Sequence, residues 1–237
     1  MIKPNLHSLA AALLALTSLA AQADSSMSLG VSLNATGWSG DNGAGNSNFE
    51  SDQGGQLGFS LSYSKNLWYA GLSLQGGEYE FSQTAPSQFT SSGNLATQNT
   101  KIKHSDFDLL VGYYVWDQIS LFVDLKAVGS QWQNNQYEQN FSGLGLGIAG
   151  YKALNKNWTL YGSWGVVGGK IQQKDNSQLG DASSGALTIG ASYQLNRLDR
   201  LSMGLKLRGY QYDFDNGQSQ RHDLNGLFFG YNHVFEL

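Results

Sequence analysis

A two-residue alternation that returns ten times between residue 27 and the end of the chain constrains this sequence most. The last instance, residues 226–237 (GLFFGYNHVFEL), shows it plainly. Leu227, Phe229, Tyr231, Phe235 and Leu237 share one phase, and Phe228, Gly230, Asn232, Val234 and Glu236 the other. A period of two puts alternate side chains on opposite faces of a strand. A strand this apolar at a chain terminus is a free edge open to aggregation unless something pairs with it. The pattern therefore asks for a closed sheet.

The other nine segments supply the staves. They cover about 27–38, 55–64, 67–81, 103–116, 118–131, 140–152, 157–169, 184–195 and 200–212. Each carries large apolar residues in one phase, as in Leu57, Phe59, Leu61 and Tyr63, or Leu201, Met203, Leu205 and Leu207. The opposite phase is largely Gly, Ser, Thr, Gln and Asn. Connectors alternate between short turns (Lys65-Asn66, Asp117-Gln118) and long polar stretches such as 39–53 and 82–101. Gly76-Gly77 is a candidate bulge.

Composition narrows the setting. Residues 1–23 read as a cleaved signal peptide, with Lys3, an apolar run from Leu9 to Ala21 and the small-x-small site Ala21-Gln22-Ala23. The mature domain is then 24–237. It has no further apolar run of the roughly 20 residues a membrane helix needs. The absence of Cys excludes a disulfide scaffold. A net charge of −4 leaves no polybasic patch for nucleic acid. Soluble barrels and sandwiches bury the large apolar face inside. Here the opposite face is polar and small, which puts the apolar face toward lipid. The expected fold is all-β, a ten-stranded antiparallel up-and-down transmembrane β-barrel with short periplasmic turns and long extracellular loops. Tyr63, Trp68, Trp116, Trp158 and Tyr193 beside the short turns form one interfacial girdle, and Trp38, Phe81, Trp132, Tyr137 and Phe141 are expected to form the other.

On this pattern the chain resembles the small single-chain outer-membrane β-barrel proteins of Gram-negative bacteria. The resemblance covers the whole mature chain and rests on pattern, not on one motif. It implies a cell-outer-membrane location, with membrane lipid, lipopolysaccharide and the barrel-assembly machinery as partners. It also implies that the terminal strand is the assembly signal, here Phe229, Tyr231, Phe235 and Leu237, with His233 and the final Leu departing from the family's preference.

Chemistry is expected on the inner face. Asp106 and Asp108 on segment four, Asp124 and Lys126 on segment five, and Lys206 and Arg208 on segment nine lie at similar heights above the short turns. Charges facing a narrow lumen favour mutual pairing. The cluster is either a salt-bridge lattice that fills the barrel or a constriction selecting small solutes. Small inward residues such as Gly58, Ser60, Gly145, Gly147 and Gly190 leave room for water on this reading. The expected function is a structural or surface-interaction barrel or a narrow porin-like channel for small solutes, not an enzyme, with no cofactor and no metal. The alternative is a rim-sited enzyme, an omptin-like protease or lipid A-modifying hydrolase. Asp106/Asp108, Asp213/Asp215 and His222-Asp223 are its candidates for activating water.

Overall fold

The computed structural model describes residues 25–43, 48–90, 93–133, 137–175 and 177–236. The expected signal peptide and Leu237 lie outside the described residues. The strands are β1 (Ser25–Asp41), β2 (Asn48–Glu50), β3 (Gln53–Lys65), β4 (Trp68–Thr90), β5 (Gly93–Trp116), β6 (Ile119–Trp132), β7 (Glu138–Ala153), β8 (Trp158–Gln173), β9 (Gln178–Gln194), β10 (Asp199–Phe214) and β11 (Ser219–Glu236). Each long strand pairs antiparallel with its neighbour in sequence, and β11 returns to β1. The closing seam runs from Ser26↔Glu236 to Asp41↔Arg221. Ten long strands thus form a closed barrel, and β2 is a short extra strand on β1. Closure removes the edge that the terminal strand would otherwise expose.

The turns at one end are tight. Asn66 takes a positive φ of 55° between β3 and β4, a conformation its short polar side chain tolerates better than most. The other end departs from expectation. Residues 82–101, read as a polar loop, are mostly strand: β4 and β5 continue as a hairpin that leaves only residues 91–92 between them. Gly76-Gly77 lies in regular register, and the irregularities come later, at Phe81/Thr84 and Ala85/Gln88.

Outside the irregular end of β4, each long strand keeps one phase, but the polarity of its faces inverts partway. On β5 the outward residues are Val111, Leu109 and Phe107 near the short turn, then Lys103 and Lys101; the inward ones run from Gly112 and Asp108 to His104 and Ile102. The exposed apolar band (for example Leu33 67%, Leu146 65%, Trp164 52%) surrounds the short-turn half. Such a band is stable only against lipid. Beyond it the outer face carries Glu78, Glu80, Lys101, Lys170 and Asp181, and apolar residues turn inside, as in a water-soluble barrel.

This inversion corrects the second girdle. Trp38, Phe81 and Trp132 are fully buried, and Phe141 and Tyr137 nearly so. They fill the lumen, because above the lipid band only the interior is dry. Two of the small inward residues, Gly147 and Gly190, are corrected too. In the short-turn half four glycines sit directly opposite an aromatic residue: Tyr69↔Gly112, Phe122↔Gly147, Tyr161↔Gly190 and Phe228↔Gly204. A Cβ on Gly147 would lie 2.1 Å from the Phe122 ring, and one on Gly112 2.2 Å from Tyr69. The missing side chain is therefore room for a neighbour's ring rather than for water.

Candidate functional site

The charged cluster lies at the level where the polarity inverts. Asp106 is its hub and is 2% exposed. Its carboxylate accepts from Lys126 Nζ at 2.7 Å, from the Arg208 guanidinium and from the Tyr210 hydroxyl at 3.0 Å. Lys126 also donates to Asp108 at 2.6 Å. Arg208 spends its other terminal nitrogen on Gln56 Oε1 (2.8 Å) and Gln75 Oε1 (2.9 Å). Two acids meet two bases, so the formal charge of the cluster cancels. Asp106, Lys126 and Arg208, the most buried of the four, each have two or three hydrogen-bond partners, the condition under which such burial is tolerated. The network ties β3, β4, β5, β6 and β10 together across the lumen.

Of the six predicted residues, the structure brings four together: Asp106, Asp108, Lys126 and Arg208. Asp124 and Lys206 stand apart. Each lies two residues nearer the short turns than its paired neighbour on the same strand. One oxygen of Asp124 is buried with no hydrogen-bond partner among the described residues. Lys206 stands 5.8 Å from the centroid of the Phe228 ring and joins no ion pair among the described residues.

An aromatic layer stands on the charged one. Trp38 meets Tyr79, Phe81 and His104 edge-on at centroid distances of 5.2, 5.7 and 5.2 Å. Burying each such ring contributes roughly 1.5–3 kcal/mol. His222 packs beside Trp38 and Tyr212 and is 2% exposed. His104 accepts or donates at Ser130 Oγ, 3.2 Å away. Among the described residues neither histidine forms an ion pair with a carboxylate, so the structure does not assemble the predicted acid–imidazole pair.

The outer mouth is closed by residues 85–89 of β4, all buried. This strap has partners on strands around the ring. Asn42 donates to Ala85 O (3.1 Å) and accepts from Ser87 N (2.7 Å). Trp132 Nε1 donates to Pro86 O at 3.0 Å, and Gln220 Nε2 to Asn42 Oδ1 at 2.7 Å. The Tyr137 hydroxyl donates to Phe89 O, and the Phe89 ring stacks on Phe214 at 3.7 Å. Burial pushes the Tyr137 phenol up. Beside the strap, the carboxylate of Asp52 accepts from Ser82 N at 2.6 Å, and Ser82 holds its pKa below the usual carboxylate value.

The sequence reading missed Tyr210, Gln56, Gln75 and the strap. The even phase that carries Asp106 and Arg208 continues through Ile102 and Tyr210 to Tyr212, and following it past the lipid band finds the inner layer. Among the described residues no group of three or more His, Asp or Glu is placed to hold a metal ion.

The terminal strand presents Phe229, Tyr231 and Phe235 outward, with exposures of 55, 40 and 37%. His233, which departs from the expected pattern, has a local partner. Its Nδ1 lies 2.7 Å from Asp199 Oδ1, and the Tyr231 hydroxyl donates to the same oxygen at 2.5 Å.

No protein-family model matches the sequence, and no curated protein matches it significantly. Solved structures do. The outer membrane protease OmpT of Escherichia coli superposes with a TM-score of 0.55 at 8% identity, over 89% of this chain and 96% of that one. The P. putida toluene transporter TodX gives 0.35 at 13% identity, over 94% and 92%. The Ralstonia pickettii toluene transporter TbuX gives 0.33 at 10%, over 90% of each. The two transporter scores are too low to establish a shared fold. The first shows that this chain has the fold of an outer-membrane β-barrel. It also corrects the expectation that the chain is not an enzyme. The same fold carries a protease, and so gives no ground for excluding catalysis.

Proposed function

We propose that this chain is an integral outer-membrane protein that acts at the cell surface by contact, with a lumen that is no path for solutes. On this reading residues 1–23 are removed on export and the barrel-assembly machinery inserts the mature chain. The short turns face the periplasm, and lipid and lipopolysaccharide cover the apolar band. The observation that carries the closed-lumen reading is the burial of three successive layers: the Asp106 hub, the ring layer around Trp38 and the strap. A pore needs a continuous polar path, and the Trp38, Phe81 and Trp132 layer interrupts it. Surface contact is favoured by the strands that rise beyond the lipid band and present a polar, mainly acidic outer face, with Glu78, Glu80, Asp181 and Asp213 among its residues.

Refolded protein in planar bilayers tests the reading. The expected recording shows insertion without unitary current steps. Regular steps from the unmodified protein would overturn the closed-lumen reading and restore the narrow-channel alternative.

A further inference from the structure

Below the hub the lumen changes character. Ser60 and Ser62 lie on the inward phase of β3, yet both are exposed. Water therefore reaches the inside of the short-turn half, while the layers above the hub are dry. The Asp108 side chain, on the lower side of the hub, is 20% exposed. The wetted part of this half forms a vestibule that ends at the charged layer.

Two unmatched charges stand in it. Asp124 is on β6 and Lys206 on β10, with three strands between them one way round the ring and five the other. They face across the lumen rather than along a wall. Among the described residues neither is neutralised by an ion pair, and one Asp124 oxygen has no hydrogen-bond partner. A carboxylate and an ammonium held apart on opposite walls of a half-dry cavity are each under-satisfied. Nothing in the barrel's architecture needs them, because the four hub residues already balance one another.

We propose that the vestibule binds a small zwitterion, a molecule with an amine at one end and a carboxylate at the other. The amine pairs with Asp124, with Asp108 adding to the negative wall, and the carboxylate pairs with Lys206. A largely apolar cavity with a few convergent charges is the usual make-up of a small-molecule site, and here Phe228 packs over Gly204 beside Lys206 and backs its stem. The fixed span between the walls selects ligand length. The proposal goes beyond surface contact and rests on that reading only for the compartment that supplies the ligand. Binding in detergent tests it independently of conductance in bilayers.

The experiment is calorimetric titration of the detergent-refolded protein with straight-chain ω-amino acids from glycine to 6-aminohexanoate. One chain length, or two adjacent ones, should bind best, and butylamine and butyrate should bind at least ten-fold more weakly. Asp124→Asn and Lys206→Gln should each lower affinity at least ten-fold while keeping the heat-modifiable gel mobility of a folded barrel. Binding unaffected by both substitutions, or the absence of binding by every member of the series, overturns the proposal. If either variant fails to fold, the wild-type series still decides: affinity that does not depend on chain length overturns it.

Discussion

The two halves of the lumen solve opposite problems with one strand phase. In the short-turn half the outside is apolar and the inside holds hydroxyls, glycines and rings laid over glycines. In the long-loop half the outside is charged and the inside is a packed core of Trp38, Tyr79, Phe81, Trp132 and Tyr210. The difference follows from the solvent. Lipid rewards apolar side chains on the outer face, whereas water rewards them on the inner one. The Asp106 hub sits at the changeover, where the buried Asp106 carboxylate is satisfied by its neighbours rather than by solvent.

Breaking the hub should separate the halves most sharply. Asp106→Ala leaves Arg208 and Lys126 without their shared acceptor and should cost about 3–5 kcal/mol, as removing one partner of a buried pair does. Asp124→Ala, two residues below Lys126, should cost about 0.5 kcal/mol or less, since it removes a group with an unmet oxygen in a wetted half. Urea unfolding of the two variants in the same detergent reads the contrast, and equal losses would contradict it.

The short-turn half has its own tight point. Gly147→Val places a side chain where the Phe122 ring lies and should cost about 1–3 kcal/mol through overpacking. Gly168→Val, on the outer face with nothing within 4 Å of an added Cβ, is the control and should be near neutral by the same urea assay.

A smaller effect is expected at the strap. Tyr137→Phe removes the hydroxyl that donates to Phe89 O, which should cost about 1 kcal/mol. Hydrogen exchange should speed up at residues 85–89 and stay unchanged below the hub. Uniform acceleration would mean that the strap is not a separate layer.

The smallest effect concerns Asp52, an exposed carboxylate whose pKa Ser82 lowers from 3.8. A lowered folded value means the contact stabilises fully above the unfolded pKa and is lost as pH falls through the folded one. The Ser82 amide shift, followed by NMR, should titrate with a midpoint below 3.8. A midpoint at or above that value would remove the contact from the description.

The strand count and closure were legible because lipid enforces a strict apolar phase, as in Leu201 through Leu207. The hub was legible in part: Asp106, Asp108, Lys126 and Arg208 declare themselves by charge at matching heights. Tyr210 and Gln56 do not, because a ring or an amide in the inner phase signals pairing only once its neighbours across the barrel are known. The segment 82–101 looks like loop in sequence because strands above the bilayer have no lipid to mark them; Ser, Thr and Gln serve there as well as Leu does below. Trp38 and Trp132 look like girdle residues in sequence because aromatics near strand ends favour an interface, and only the inversion of polarity turns them inward.

Because the sequence contains no Cys, a single introduced thiol reports the lumen directly. Ser60→Cys and Ser130→Cys both point inward; Ser60 is exposed in the short-turn half, and Ser130 is 5% exposed in the long-loop half. Labelling the folded variants with a small water-soluble maleimide compares the halves in one assay. The expected result is rapid modification of Ser60→Cys and protection of Ser130→Cys until the protein is boiled. Equal labelling rates in the folded state would contradict a lumen divided into a wetted half and a sealed one.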